Sequence, residues 1–265
     1  LAMGRALRRA VREELSAGAE LVHAHWWIPG GMAAPPEAPL VVTCHGTDVA
    51  LLRNSAAARA LAQVYLDDQM LMDAFKRCPA AKAMHHAYLG GLLEHTLTLL
   101  QLADRVCPLY PKIRRDVVML GLFLHDLAKT RELVYDRTFS YTDRGELIGH
   151  IVDGAIMLHD KAQEVMRKHG LRLPRNLLTV MQHIIISHHG VPEFGAAKLP
   201  ATPEAIMVNL LDNLDAKTVM ALAAARPDAA FTDAGDQLGT SLNGNFTEKN
   251  WGLETKLFRP DPLAD

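Results

Sequence analysis

The sequence contains little cysteine: Cys44, Cys78 and Cys107 are the three cysteines in a chain of 265 residues. Three widely separated cysteines do not supply the disulfide framework on which small secreted domains depend. Their scarcity argues against an oxidising compartment. The sequence therefore predicts a protein of the cytoplasm, where thiols stay reduced.

Long hydrophobic runs are also missing. No stretch of about 18 consecutive apolar residues occurs, and a transmembrane helix needs at least that length. The beginning of the chain, LAMGRALRRAVREELSAG, is a charged amphipathic pattern without the apolar segment and cleavage site of a signal peptide. We therefore expect a protein that neither spans a membrane nor is exported.

An excess of charge of one sign is absent as well. The formal net charge is −2, and charged residues make up 22% of the chain. This balance excludes the overall basicity of proteins that bind nucleic acid non-specifically. An anionic substrate would therefore have to be attracted by a local site rather than by the whole surface.

What the sequence does contain, from Val64 onward, is a series of long patterns in which apolar residues recur at intervals of three and four. The predicted helices are 67–76, 83–106, 113–128, 146–169, 175–187 and 203–225. One extended insertion, 133–142, alternates aromatic and polar residues around a turn and could form a hairpin. The main body is therefore predicted to be mainly α.

Residues 1–63 show a different pattern. They contain a basic helix, short apolar strands at 21–25 and 40–44 around a Gly- and Pro-rich loop, and an Ala-rich helix. Two strands alone make a poor sheet. We therefore expect a small α/β N-terminal appendage, residues 1–63, followed by a helical domain of residues 64–265.

Seven histidines and aspartates interrupt the apolar helices: His95, His125, Asp126, His150, His188, His189 and Asp212. Burying so many polar groups would cost too much desolvation free energy without a common partner, and a metal ion is the simplest one. His125 and Asp126, about 100° apart on a helix, can reach one site from the same turn. The two oxygens of Asp126 could bridge two cations, and water held between them would be acidified toward hydroxide.

The order H…HD…H…HH…D resembles that of the HD-domain metal-dependent phosphohydrolases. The segments GLFLHDLAKTREL, GELIGHIVDG, ISHHGVPEFGAAKLP and FTEKNWGLETKLF resemble the HD domain of the YhaM-type 3′-to-5′ exoribonucleases, over nearly all of 64–265. The resemblance implies an HD-domain helical bundle and a phosphodiesterase that acts through a metal-bridged hydroxide. It implies that one ion is held by His95, His125, Asp126 and Asp212, and the other by Asp126, His150 and His188, with His189 as a further candidate.

One departure from that family concerns the N-terminal region. Its members carry an OB-fold domain before the HD domain, and OB-folds bind single strands through a basic groove and stacking aromatic residues. Here LVHAHWWIPGG and VVTCHGTDVALLRNSAAARALA resemble instead the N-terminal half of nucleotide-sugar-dependent glycosyltransferases. We expect this fragment to be non-catalytic. We expect the substrate to be short single-stranded RNA, a nucleotide-like ester or another phosphoester, including triesters.

Further residues are candidates for catalysis or for binding the substrate. Lys129 could neutralise a phosphate oxygen, so we predict a catalytic role for it beside Asp126; a lysine that complements the helix dipole is the structural alternative. His86 and Asp215 are candidate substrate contacts. Their structural alternatives are a helix-start or packing role for His86 and ligand orientation or capping for Asp215. His183 is predicted to be a core or supporting histidine.

The imidazole-rich ligand set predicts two divalent metal ions. Such a set favours Mn²⁺ or Fe²⁺, with Co²⁺, Ni²⁺ and Mg²⁺ as further candidates. Three rival classes of protein stay open at this point. They are a di-iron oxygenase built on the same ligands, a non-catalytic nucleotide-binding module, and a glycosyltransferase that uses the first 63 residues. The sequence predicts no oligomeric state.

Overall fold

The structure is a computed structural model, which describes the strands at 22–25 and 40–43 and residues 55–82, 86–135, 139–226 and 245–263. The predicted basic helix and the Gly- and Pro-rich loop lie outside these residues. Strands β1 (Val22–His25) and β2 (Leu40–Thr43) pair in parallel. Both predicted strands are thus confirmed, each one residue shorter than expected.

Helices make up most of the described chain, which confirms the mainly α fold class. They are α1 (Ala56–Leu66), α2 (Gln69–Arg77), α3 (Gly91–Val106), α4 (Arg115–Leu124), α5 (Lys129–Glu132), α6 (Asp143–Leu147), α7 (Gly149–His169), α8 (Arg175–Ser187) and α9 (Pro203–Ala225). The predicted hairpin is confirmed, since β3 (Leu133–Val134) and β4 (Ser140–Tyr141) pair antiparallel. None of the described helices is both long and apolar enough to cross a lipid bilayer.

Helix α4 lies at the centre of the bundle and packs against α1, α3, α8 and α9. Its residues Val118, Leu120 and Leu122 are almost completely buried. Each buried aliphatic side chain of this size contributes about 1.5–3 kcal/mol of hydrophobic stabilisation relative to an exposed one. The central position of α4 fixes the place of the residues that follow its last turn.

Helix α1 belongs to the same core. Leu61, Val64 and Tyr65 are buried there, and α1 packs against α2, α4 and α7. The predicted boundary at residue 63 therefore falls inside a helix that is part of the helical body. The division of the chain into residues 1–63 and 64–265 stays a prediction.

Four predicted helices begin or end elsewhere than expected. The helix predicted at 67–76 is observed as Gln69–Arg77. The helix predicted at 83–106 begins at Gly91, because Gly90 adopts the left-handed conformation, with φ of 83°. The helix predicted at 113–128 ends at Leu124 and is followed by a turn and the short α5. The helix predicted at 146–169 is divided into α6 and α7, and Gly149 at the break has φ of 73°.

The start of α3 depends on a close approach between two backbone segments. A methyl group added at Gly91 would lie 1.9 Å from the carbonyl oxygen of His86. That oxygen accepts hydrogen bonds from the backbone N–H groups of Ala80 and Tyr88. His86 itself has φ of 46°, a left-handed conformation that is unfavourable for a residue with a side chain. Because Gly91 has no side chain, the backbone of His86 can pack directly against it.

We predict that Gly91→Ala lowers the free energy of unfolding by about 1–3 kcal/mol, because the added methyl group must displace backbone atoms. Within a helix this substitution ordinarily stabilises a protein, by about 0.5–1 kcal/mol. Denaturant unfolding of both proteins therefore distinguishes the two expectations by sign. A variant more stable than the wild type would contradict the close approach.

Candidate metal centre

The seven predicted metal ligands meet at one place in the bundle. They come from α3, the end of α4, the start of α7, the end of α8, and α9. The structure groups them into two adjoining clusters, one of Asp126, His150, His188 and His189 and one of His95, His125 and Asp212. Within each cluster, one donor atom of every residue lies within 4.8 Å of the others. Residues up to 117 positions apart are thus brought together by the fold.

His125 and His188 are held in the same way. Each is the residue directly after an apolar helix, where the carbonyl groups of the last turn lack helical partners. Nδ1 of His125 donates to the carbonyl oxygen of Leu122 at 2.8 Å, and Nδ1 of His188 donates to that of Ile185 at 2.7 Å. These bonds fix the tautomer in which Nε2 carries a lone pair, as metal-binding histidines require.

His150 and His189 are also anchored through Nδ1. Nδ1 of His150 lies 2.9 Å from Oε1 of Glu132, which also accepts from the backbone N–H of His150 at 3.0 Å. Nδ1 of His189 donates to the carbonyl oxygen of Phe194 at 2.6 Å. Burial would raise the pKa of Glu132, but its bonds to His150 lower it, so the carboxylate stays charged.

Sequence reasoning missed Glu132. A signal was present, since Glu132 follows Lys129 by three residues, a spacing that places two side chains on the same face of a helix. The spacing alone does not show that His150, eighteen residues later, returns to this carboxylate. The contact depends on the hairpin and on α6, which bring the chain back to α5.

Buried polar atoms test whether a metal fits here. Four of them have no hydrogen-bond partner: Nε2 of His125, Nε2 of His150, Nε2 of His188 and Oδ1 of Asp126. Oδ1 of Asp126 lies 3.4 Å from Nε2 of both His150 and His188. Leaving such atoms unsatisfied costs about 1–3 kcal/mol each. Nitrogen and carboxylate donors that face one another in this way fit a divalent transition-metal ion.

The two oxygens of Asp126 face different neighbours. Oδ1 is directed toward His150 and His188, whereas Oδ2 lies 3.4 Å from Nε2 of His125 and accepts from Nζ of Lys129 at 2.6 Å. Burial would raise the pKa of Asp126, but Lys129 and the imidazoles hold it well below its usual value. Asp126 is therefore a carboxylate that contacts both clusters.

His95 joins the second cluster to two further residues. Its Nε2 lies 3.1 Å from Oδ1 of Asp212, and its Nδ1 lies 2.7 Å from Oδ2 of Asp215. The same oxygen of Asp215 lies 2.9 Å from Nε2 of His86. Burial would lower the pKa of His95, but its bonds to the two aspartates raise it to about 9. His86 and Asp215 thus form a chain of contacts that ends at His95, and a substrate contact by either residue stays a prediction.

Lys129 and His183 occupy different surroundings. Lys129 is buried, begins α5, and directs its ammonium group at Asp126. Burial would lower the pKa of Lys129, but the neighbouring carboxylates raise it, so the side chain stays charged. His183 lies outside both clusters, and its Nε2 accepts from the backbone N–H of Ala201 at 2.8 Å.

This arrangement of helices and ligands defines an HD domain. Residues 92–217 of the chain match the HD domain family. HD domains bind divalent metal ions, and the two clusters offer donor atoms for them. The resemblance to an HD domain that was predicted from the sequence is thereby confirmed.

The chain is similar to several proteins named 3′-5′ exoribonuclease YhaM. The relative from Bacillus subtilis is 35% identical over 187 residues, which are 69% of this chain and 52% of the relative. The relative from Bacillus licheniformis is 36% identical over 183 residues, 68% and 51% of the two chains. This chain thus spans about half the length of these curated relatives. No solved structure matches it, and none of these comparisons supports the glycosyltransferase resemblance.

We predict that metal removal destabilises the protein, because it leaves the four buried donor atoms without a partner. At a metal concentration 100 times the dissociation constant, binding contributes about 2.7 kcal/mol. In a chain of this size that corresponds to a fall in Tm of roughly 5–10 °C. The measurement is the Tm before and after chelation and Mn²⁺ add-back, together with metal content by mass spectrometry.

Two histidine variants provide the comparison. His188→Ala should reduce the rise in Tm on Mn²⁺ add-back, whereas His159→Ala, at an exposed position on α7, should retain it in full. Equal metal-dependent shifts in the two variants would contradict the assignment of this cluster.

Proposed function

We propose that this protein is a divalent-metal-dependent phosphohydrolase that cleaves phosphodiester bonds in short single-stranded RNA or nucleotide-like esters. The observation that carries the proposal is the set of four buried donor atoms without hydrogen-bond partners, directed at one another from three helix termini. The names of the relatives, which describe 3′-5′ exoribonucleases, support the choice of phosphodiester substrates.

Two ions, Mn²⁺ or Fe²⁺ first among the candidates, fit the donor chemistry. One would be held by His95, His125, Asp126 and Asp212, and the other by Asp126, His150, His188 and His189. When bound, such ions polarise a phosphate group and lower the pKa of water toward neutrality. The protein keeps two of these ligands neutral, since burial lowers the pKa of His125 to about 4 and that of His189 to about 3.

Lys129 is the cation that the chain itself supplies. Its Nζ lies 2.6 Å from Oδ2 of Asp126, in a buried position where its charge is weakly screened by water. A phosphate held beside Asp126 would lie within reach of this ammonium group. Lys129 can therefore offset negative charge on the phosphoryl oxygens as it increases toward the transition state.

Substrate must approach the cluster from its more open side. The side chains of His95, His125 and His188 are fully buried, whereas those of Asp212 and His150 are 13% and 11% exposed. The His189 side chain is likewise only partly buried. Phosphoesters of different kinds, including triesters, could use this opening, so we expect activity toward more than one of them.

The variant Asp126→Asn tests the carboxylate that contacts both clusters. We expect it to reduce hydrolysis of bis(p-nitrophenyl) phosphate and of a short RNA more than about 100-fold, because the amide lacks the second charged oxygen of a metal ligand. Rates are measured after chelation and separate add-back of Mn²⁺, Fe²⁺ and Mg²⁺. Circular dichroism checks that the fold is retained.

Asp160→Asn, at an exposed position on α7, is the matched control and should behave as the wild type. Wild-type rates of hydrolysis in Asp126→Asn with full metal occupancy would contradict the proposed role of Asp126 as a metal ligand. Iron-dependent oxygen consumption without phosphoester cleavage would support the di-iron oxygenase instead. Nucleotide binding without turnover would support the non-catalytic module.

Lys129 is tested by removing its charge while keeping its length. We predict that Lys129→Met lowers kcat about 10²–10³-fold, the loss typical of one electrostatic group in a water-poor site. Lys129→Arg should recover part of this loss, because it restores the positive charge. Metal content is measured in both variants. A fall in metal content that accounts for the whole loss would show that Lys129 acts only by orienting Asp126.

A further inference from the structure

The loop after α8 lies at one edge of the metal centre, and hydrogen bonds within its backbone stabilise it. It contains a 3₁₀ turn, Pro192–Phe194, between Gly190 and Gly195, which have φ of 83° and 95°. The backbone N–H groups of Val191, Phe194 and Gly195 all donate to carbonyl groups of the same loop or of His189. The backbone of this loop is therefore fixed by its own hydrogen bonds.

Phe194 is the residue by which this loop is joined to the metal centre. Its carbonyl oxygen accepts the Nδ1 proton of His189 at 2.6 Å, and the ring of His189 lies 4.3 Å from that of His188 and 5.2 Å from that of His150. Yet the Phe194 side chain is 62% exposed. Phe194 is thus bonded through its backbone to the partly exposed His189, while its side chain is not part of the buried core.

An exposed apolar residue is by itself ordinary on a protein surface. What distinguishes Phe194 is its direct backbone bond to a residue of the metal cluster, together with the rigidity of the turn. When the backbone is already fixed, only the rotamers of the ring must be ordered when a ligand packs on it, so the loss of conformational entropy is small. The position is therefore suited to a flat, apolar group on a molecule whose phosphate lies at the metals.

We propose that Phe194 is a stacking platform for the nucleobase of the nucleotide released from the 3′ end of an RNA substrate. The proposal rests on the phosphodiesterase function proposed above and deepens it, since it selects substrates that carry a base beside the scissile bond. Every base has a flat face that can stack on an aromatic ring, so this contact tolerates different sequences. Phe194 then selects substrates that carry a base, while Asp126 and Lys129 act on the phosphate.

The experiment compares two short RNA substrates that differ in the 3′-terminal nucleotide, which either carries its base or is abasic. KM and kcat of the first cleavage are measured for the wild type, Phe194→Ala, Phe194→Tyr and Phe194→Leu, with metal content as a further readout. Loss of one stacked base costs about tenfold in binding. We expect Phe194→Ala to raise KM about tenfold on the normal RNA, and Phe194→Tyr to stay near the wild type.

On the abasic RNA, the wild type should lose about the same factor, and its difference from Phe194→Ala should disappear. Phe194→Leu should resemble the alanine variant, because a leucine side chain has no aromatic face. Tyr110→Ala is the matched control, a 56% exposed aromatic residue beyond the far end of α3. That end lies about 16 Å along the helix from His95, so KM should not change.

Equal effects of Phe194→Ala on both substrates would overturn the proposal, because they would show no coupling between the ring and the base. A change of oligomeric state with equal effects on both substrates would assign Phe194 to an interface between copies of the chain, and would also overturn it. Failure of the wild type to cleave either RNA or bis(p-nitrophenyl) phosphate would refute the proposed function itself. RNA cleavage without coupling refutes only the role of Phe194.

Discussion

The structure depends on one repeated contact, the hydrogen bond or ion pair at Nδ1 of each histidine in the metal centre. The acceptors are a carbonyl oxygen for His125, His188 and His189, and a carboxylate for His95 and His150. Because an imidazole has two nitrogens, fixing the first determines where the second points. Helix ends, the α5–α6 region and the loop after α8 all contribute acceptors, so most of the fold takes part in aiming the ligands.

The ends of the helices therefore matter more for this site than their middles. Within a helix, backbone carbonyl groups are already paired, and only the last turn has free acceptors. His125 and His188 lie directly after such turns, and His150 lies directly after Gly149, where the chain turns from α6 into α7. The apolar helices pack into a rigid bundle, and the ends of these helices position the donor side chains. Because most of the polar side chains of the site lie at helix ends, the apolar core formed by the helices can surround them.

The ligand types, their order and the mainly α class could all be predicted from the sequence. His125 and Asp126 are adjacent, so one helix turn brings both to the same place whatever the rest of the chain does. Helices α8 and α9 have the predicted bounds, because their apolar periodicity runs unbroken between clear end signals. The expected start of α3 was wrong by eight residues, since His86 and Gly90 adopt left-handed conformations that periodicity does not reveal.

The sequence by itself determined which side chains could bind a metal and which elements carry them, because both follow from residue type and local spacing. Only the tertiary structure decided what holds those side chains. Glu132 reaches His150, Asp215 lies between His86 and His95, and the carbonyl of Phe194 holds His189. Two of these contacts join residues far apart in the chain, and the third depends on the backbone of an irregular loop. Local spacing contains no information about contacts of either kind, since they arise only when the helices pack.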